Sequence, residues 1–177
     1  MESGGGLAVR VLGPLEVSVA GRPVGLTTGR LRTVLAVLAM AAGDPVSVDR
    51  LSAALWGEDL PGNARRGVQT YLTRLRAAVG ADAIGAGPAG YTLHVEPDQV
   101  DAVRFVRLLD LAVRATDPPA ERALLDQALA LWRGSPFDGV ASTWLAHSEA
   151  PRLQERFLAA VERRADLDLG QDRPGAV

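Results

Sequence analysis

The stretch from Asn63 to Val79, NARRGVQTYLTRLRAAV, carries arginines at 65, 66, 74 and 76 and no acid, in a chain whose formal net charge is -2. At about 100° per residue, Val68, Leu72, Leu75 and Val79 recur at the spacing that stacks side chains on one helical face. The pattern predicts a helix with that face in the core. Opposite it, Arg66, Gln69, Thr70 and Thr73 fall within about 100°, and Arg74 and Arg76 take the two flanks. Polar groups at the centre and cations at the edges suit a helix entering a major groove, where central side chains reach base edges and flanking arginines meet phosphates. Arg66, Gln69, Thr70 and Thr73 are therefore the candidate base readers, and Arg65, Arg74 and Arg76 the candidate phosphate contacts. Taken alone, the stretch also fits an ordinary solvated surface helix.

Its surroundings decide between the two. Upstream, LAVRVLGPLEVSV (7–19) alternates like strand, Gly13-Pro14 and Ala20 to Pro23 punctuate it, and three or four short antiparallel strands are expected. Thr27 or Thr28 can cap a helix from Arg30 to Ala42 closed by Gly43, and Ser47 a second helix through Trp56 stopped by Gly57. The spacer Glu58 to Gly62 then leads into the basic stretch. Three helices in about fifty residues fit a helix-turn-helix relative. Downstream, Ala83-Ile84, a loop GAGPAG and Tyr91 to Val95 read as a hairpin, the wing of a winged helix, with Gly87, Gly90 and Tyr91 as its candidate DNA contacts.

Gly85, Gly87 and Gly90 also spell the G-x-G-x-x-G dinucleotide fingerprint. That motif must open into a helix whose N-terminus holds pyrophosphate, whereas Pro88 interrupts this loop and the strand-like YTLHV follows it. No cofactor is expected. The chain has no cysteine and two histidines, His94 and His147, neither spaced for a catalytic triad, so neither an enzyme nor a metal site is expected. No secretory leader and no apolar run of about 18 residues is evident, which points to the cytoplasm, with no membrane partner.

The second half reads as helical. One helix is expected from about Asp98 or Asp101, as cap, to Ala115, with Val103, Val106, Leu109, Leu111 and Val113 apolar. A second runs from Ala120 to Trp132, and after an irregular connector a third runs from Glu149 to Leu169 with Leu153, Phe157, Val161 and Leu167 inward. Pro/Gly breaks between antiparallel helices suggest tetratricopeptide-like pairs. Trp132 and Trp144 are expected as core anchors. So few helices bury a face poorly alone, so packing on the winged helix or on further helices is anticipated. Charge divides likewise: residues 1–97 hold 9 Arg against 8 acids, +1, and residues 98–177 hold 10 against 13, -3.

In order, LGPLEV (12–17), VSVDRLSAALWG (46–57), VQTYLTRLRAAVG (68–80), GYTLHV (90–95) and LALWRGSPF (129–137) resemble the Streptomyces antibiotic regulatory proteins, over residues 7–169. The resemblance implies a mixed fold: an α+β OmpR-type winged helix at 7–96 and an all-α, tetratricopeptide-like bacterial transcriptional activator domain at 97–177, after a disordered lead at 1–6. It implies an activator of a secondary-metabolite gene cluster that binds direct repeats of double-stranded DNA side by side and recruits RNA polymerase with its sigma factor. It places the family's recognition positions on Arg66, Gln69, Thr70, Thr73, Arg74 and Arg76. The spacer acids Glu58 and Asp59 become candidate polymerase contacts, and the protein would be nucleoid-associated. Two features depart from the family pattern. The wing, Ile84 to Tyr91, has no cation where relatives often carry arginine, and the activator domain is short, as in a truncated or unusually short member. The alternatives are a protein-binding adaptor, or a repressor using the same winged helix without polymerase contact.

Overall fold

A computed structural model of the chain describes residues 6–171. Most of the lead expected at 1–6 lies outside them. The first strands form as the alternation predicts: β1 (Leu7–Arg10), β2 (Glu16–Val19) and β3 (Arg22–Pro23) make one antiparallel sheet in that order, with Val9 opposite Val17. Val9, Val11 and Leu12 are wholly buried.

α1 (Gly29–Ala41) starts at Thr28, whose hydroxyl oxygen accepts the Leu31 N–H, and buries Leu31 and every residue from Thr33 to Ala39. It is the central helix, packed on α2, α3 and the wing. α2 (Val48–Trp56) starts at Ser47, which accepts the Arg50 N–H at 3.2 Å, and stops at Gly57. α3 (Ala64–Val79) is the basic stretch, and it buries Val68, Leu72, Leu75 and Val79, the face its periodicity picks out. The hairpin follows as β4 (Ile84–Gly87) and β5 (Gly90–Leu93). Its loop is shorter than expected. Gly85 to Gly87 pair as strand and only Pro88-Ala89 turn, so the glycine motif lies in a ladder, not ahead of a helix.

The helical half holds α4 (Asp101–Val113), α5 (Pro118–Leu129) and, after a π-helical turn at Leu145–Glu149, α6 (Ala150–Gln171). The inward face of α4 is corrected by about one residue's rotation. Ala102, Phe105, Leu108, Leu109 and Ala112 are buried, whereas Leu111 is 41% and Val113 84% exposed. Likewise Val161 of α6 faces outward at 42% exposure, while Leu153 and Leu167 are buried. Trp132 anchors three helices as expected, with its ring 4.3 Å from Phe157 and 5.6 Å from Phe105.

Asp101 ties the start of α4 to the first hairpin. It does not cap α4 with its side chain; its buried carboxylate accepts the N–H groups of Val11 at 2.7 Å and Leu12 at 3.0 Å in the β1–β2 turn, and of Ala102 at 2.7 Å. Arg133 grips the same turn: its N–H donates to the Leu12 carbonyl at 2.7 Å, and its guanidinium bonds the Pro14 carbonyl and pairs with Glu16 at 2.9 Å. The connector expected to be irregular continues this seam. Phe137 donates to the Val11 carbonyl, Ser142 Oγ to the Ala54 carbonyl, and Arg50 lies over the Trp144 ring at 4.9 Å. Both halves thus share one continuous core.

Candidate nucleic-acid interface

α3 lacks both the side-chain cap and the first-turn acid that α2 and α5 have. Asn63 precedes it without a side-chain capping bond, its first turn holds Arg65 and Arg66 and no acid, and those cations face the positive end of the helix dipole. The helices α2, α4 and α5 each carry an acid in their first turn. Core burial holds α3 in place instead, together with a close approach of Trp56, which leaves only 2.9 Å between its ring and a Cβ built at Gly67. What remains at the start of α3 is a pair of cations with no acid in the first turn, a local arrangement that favours an anion.

The structure brings the expected readers together. Arg66, Gln69, Thr70 and Thr73 are all exposed on one side of α3, with Arg65 and Arg74 exposed beside them. Arg65, Arg66 and Arg74 pair with no acid among the described residues. In the helical half the arginines are largely neutralised: Arg107 with Asp98 at 2.8 Å, Arg156 with Asp110, Arg163 with Glu121 and Arg164 with Asp126 and Asp168. The hydrogen bond from Arg163 holds the Glu121 carboxyl below its ordinary value. Net charge near zero therefore conceals a cationic face on α3.

Within that face the roles separate. Thr70 Oγ1 donates to the Arg66 carbonyl and Thr73 Oγ1 to the Gln69 carbonyl, each at 3.0 Å. Arg76, expected to meet phosphate, is half-buried: its Nε donates to the Ile84 carbonyl at 2.9 Å, and its guanidinium lies over the Tyr91 ring at 5.8 Å. It braces α3 against the wing.

The wing is pinned on its other side by a residue the sequence did not single out. Val46 exchanges two backbone hydrogen bonds with Tyr91, at 2.8 and 2.9 Å. Gly90 permits this, since its φ is +131° and a Cβ there would sit 2.0 Å from the Val46 oxygen. The turn Pro88-Ala89 and Gly87 stay exposed near Arg65, with which they line a shallow cleft. Between α2 and α3, Glu58 and Asp59 are exposed and Leu60 is 55% exposed. Arg30, also not foreseen, lies over the Trp56 and Tyr71 rings at 5.4 and 6.0 Å beside this spacer.

Comparison with known proteins gives this arrangement its relatives. The model for the C-terminal domain of transcriptional regulatory proteins matches residues 21–89, and that for the bacterial transcriptional activator domain matches residues 100–177. The chain is 31% identical to the transcriptional regulator RedD of Streptomyces coelicolor over 169 residues, 90% of this chain and 48% of RedD. It is 34% identical to the regulatory protein DnrI of Streptomyces peucetius over 182 residues, 92% of this chain and 65% of DnrI. Each half of the chain thus matches a domain of bacterial transcriptional regulators, and over most of its length the chain is similar to Streptomyces antibiotic regulatory proteins.

The fold agrees with that similarity. A solved structure of Mycobacterium tuberculosis EmbR in complex with a low-affinity phosphopeptide superposes with a TM-score of 0.82 at 30% identity, covering 92% of this chain and 45% of that one. The chain joins an OmpR-type winged helix to a helical bacterial transcriptional activator domain. It spans about half the length of RedD and EmbR. Among the described residues, no helix is long and apolar enough to cross a membrane.

Proposed function

We propose that this chain is a sequence-specific, double-stranded DNA-binding transcriptional activator that works in the cytoplasm on the nucleoid and carries out no catalysis. The observation that carries the reading is the exposed face of α3, where three arginines with no acid partner among the described residues surround Gln69, Thr70 and Thr73. Arg66 and Gln69 are assigned to base edges, where an arginine fork suits guanine and a carboxamide suits adenine. Thr70 and Thr73 complete the reading surface, and Arg65 and Arg74 take phosphates. Arg76 positions the wing, whose contacts come from Gly87, Gly90 and Tyr91 without a cation.

The similarity to Streptomyces antibiotic regulatory proteins supports the finer points: a secondary-metabolite gene cluster as target, direct repeats near its promoter filled side by side, and recruitment of RNA polymerase with its sigma factor. Residues 7–96 are assigned to DNA and residues 97–177 to activation. The spacer acids Glu58 and Asp59 are the assigned polymerase contact. A second reading, a protein-binding adaptor, draws on exposed apolar side chains of the helical half, Val113 at 84%, Leu169 at 68% and Leu158 at 60%.

Selection of bound fragments from genomic DNA with the purified chain, followed by footprinting, tests this. Enrichment of tandem sites upstream of a biosynthetic cluster is expected. Retention of no sequence over background favours the adaptor.

A further inference from the structure

We propose that Thr70 and Thr73 read thymine through its C5 methyl group, so that methyl contact rather than hydroxyl hydrogen bonding sets specificity at the centre of the α3 face. The inference deepens the DNA-binding reading above and rests on it.

Each hydroxyl proton is already engaged. Thr70 Oγ1 donates to the Arg66 carbonyl and Thr73 Oγ1 to the Gln69 carbonyl, both at 3.0 Å, so each oxygen is turned back against the helix's own backbone. At a tetrahedral Cβ, an oxygen directed to the backbone leaves the methyl as the group that projects away from it. Both side chains are exposed, and neither methyl belongs to the buried core. The α3 face therefore alternates donors and apolar knobs: Arg66 and Gln69 supply N–H groups, while Thr70 and Thr73 present a methyl edge. In the major groove only thymine answers a methyl with a methyl. Three residues of helix advance about 4.5 Å and one base step about 3.4 Å, so the two threonines meet thymines one or two steps apart.

The test uses the full chain and the duplex it selects most strongly from a random-sequence library, with affinity read by fluorescence anisotropy at fixed salt. Each thymine is replaced singly by deoxyuridine, which removes only the C5 methyl. One or two positions within two steps of each other should lose about fourfold in affinity, the worth of one methyl kept from water. In Thr70→Ser or Thr73→Ser, which keep the hydroxyl and its backbone bond, the matching position should become indifferent to that replacement. Thr70→Val and Thr73→Val, which keep the methyl, should keep the loss on deoxyuridine at the matching position and bind more tightly than Thr70→Ala and Thr73→Ala.

Two results overturn the proposal while leaving DNA recognition intact: deoxyuridine tolerated at every position though Arg66→Ala still weakens binding, or the valine variants falling as far as Thr70→Ala and Thr73→Ala. Selection of no sequence at all removes the DNA reading itself, and the proposal with it.

Discussion

Asp101 Oδ1 accepts the N–H of Val11 at 2.7 Å, joining the start of the helical half to the turn of the first hairpin across 90 residues. With Oδ2 taking the Leu12 N–H and Arg133 holding the same turn, this carboxylate decides how the two halves sit against each other. A carboxamide keeps one acceptor but turns an N–H toward Leu12, so Asp101→Asn should lower unfolding free energy by about 1 to 3 kcal/mol. Asp101→Ala, which strands three N–H groups, should lose more. Burial pushes the Asp101 carboxyl above its ordinary 3.8, against the pull of those N–H groups and of Arg133. The folded chain thus holds this proton more tightly than the unfolded one, and from 3.8 up through the raised folded value stability falls as pH rises. Urea unfolding across that window should show the advantage of wild type over Asp101→Asn shrinking, then levelling above it.

Arg74 and Arg76, two residues apart, should respond differently. Arg74→Ala should weaken binding to all sequences alike and lower the salt slope by about one. Arg76→Ala should leave the slope nearly unchanged and raise backbone hydrogen exchange in β4 and β5, because its Nε bond to Ile84 orders the wing.

Gly90→Ala should cost about 2 kcal/mol or more, since neither φ +131° nor the contact with the Val46 oxygen admits a Cβ. The loss should be visible in thermal melts. Gly87→Ala, with nothing within 4 Å of the added carbon, should be close to neutral.

How much of this was legible in the sequence follows from where the forces are local. The three helices of the winged half end where Thr28, Ser47, Gly57 and Gly80 sit, because caps and stops act within a turn. The core stripe of α3 was legible for the same reason: one face is buried and the other is solvated. On α4 the stripe Ala102, Phe105, Leu108, Leu109 and Ala112 also recurs at helical spacing, and it was passed over for a more apolar set that includes Leu111 and Val113. What the local chain does not announce is the bond of Asp101 to a turn 90 residues away. The bond of Arg76 to the wing was not legible, because a helical wheel shows that a cation lies on a flank but not that a strand carbonyl waits there. Val46, Arg30 and Arg133 escaped notice because their partners are distant backbone or ring faces. A buried acid beside Val100 at a helix start was the one available signal, and it also fits a cap.

Replacing Glu58 and Asp59 together by alanine should separate two activities. DNA affinity should stay within about twofold, because both side chains are exposed in the spacer and off the α3 face. Transcription from the target promoter with purified polymerase should fall if the spacer is the activating contact.

The most direct measurement is the affinity of Arg66→Ala and Gln69→Ala for the selected operator and for single-base variants of it. Each substitution should cost about 1 to 3 kcal/mol on the operator and much less on duplexes altered at the base that residue reads, with melting temperatures unchanged. Equal affinity of wild type and both variants for every duplex would contradict the assignment of α3 as the reading helix.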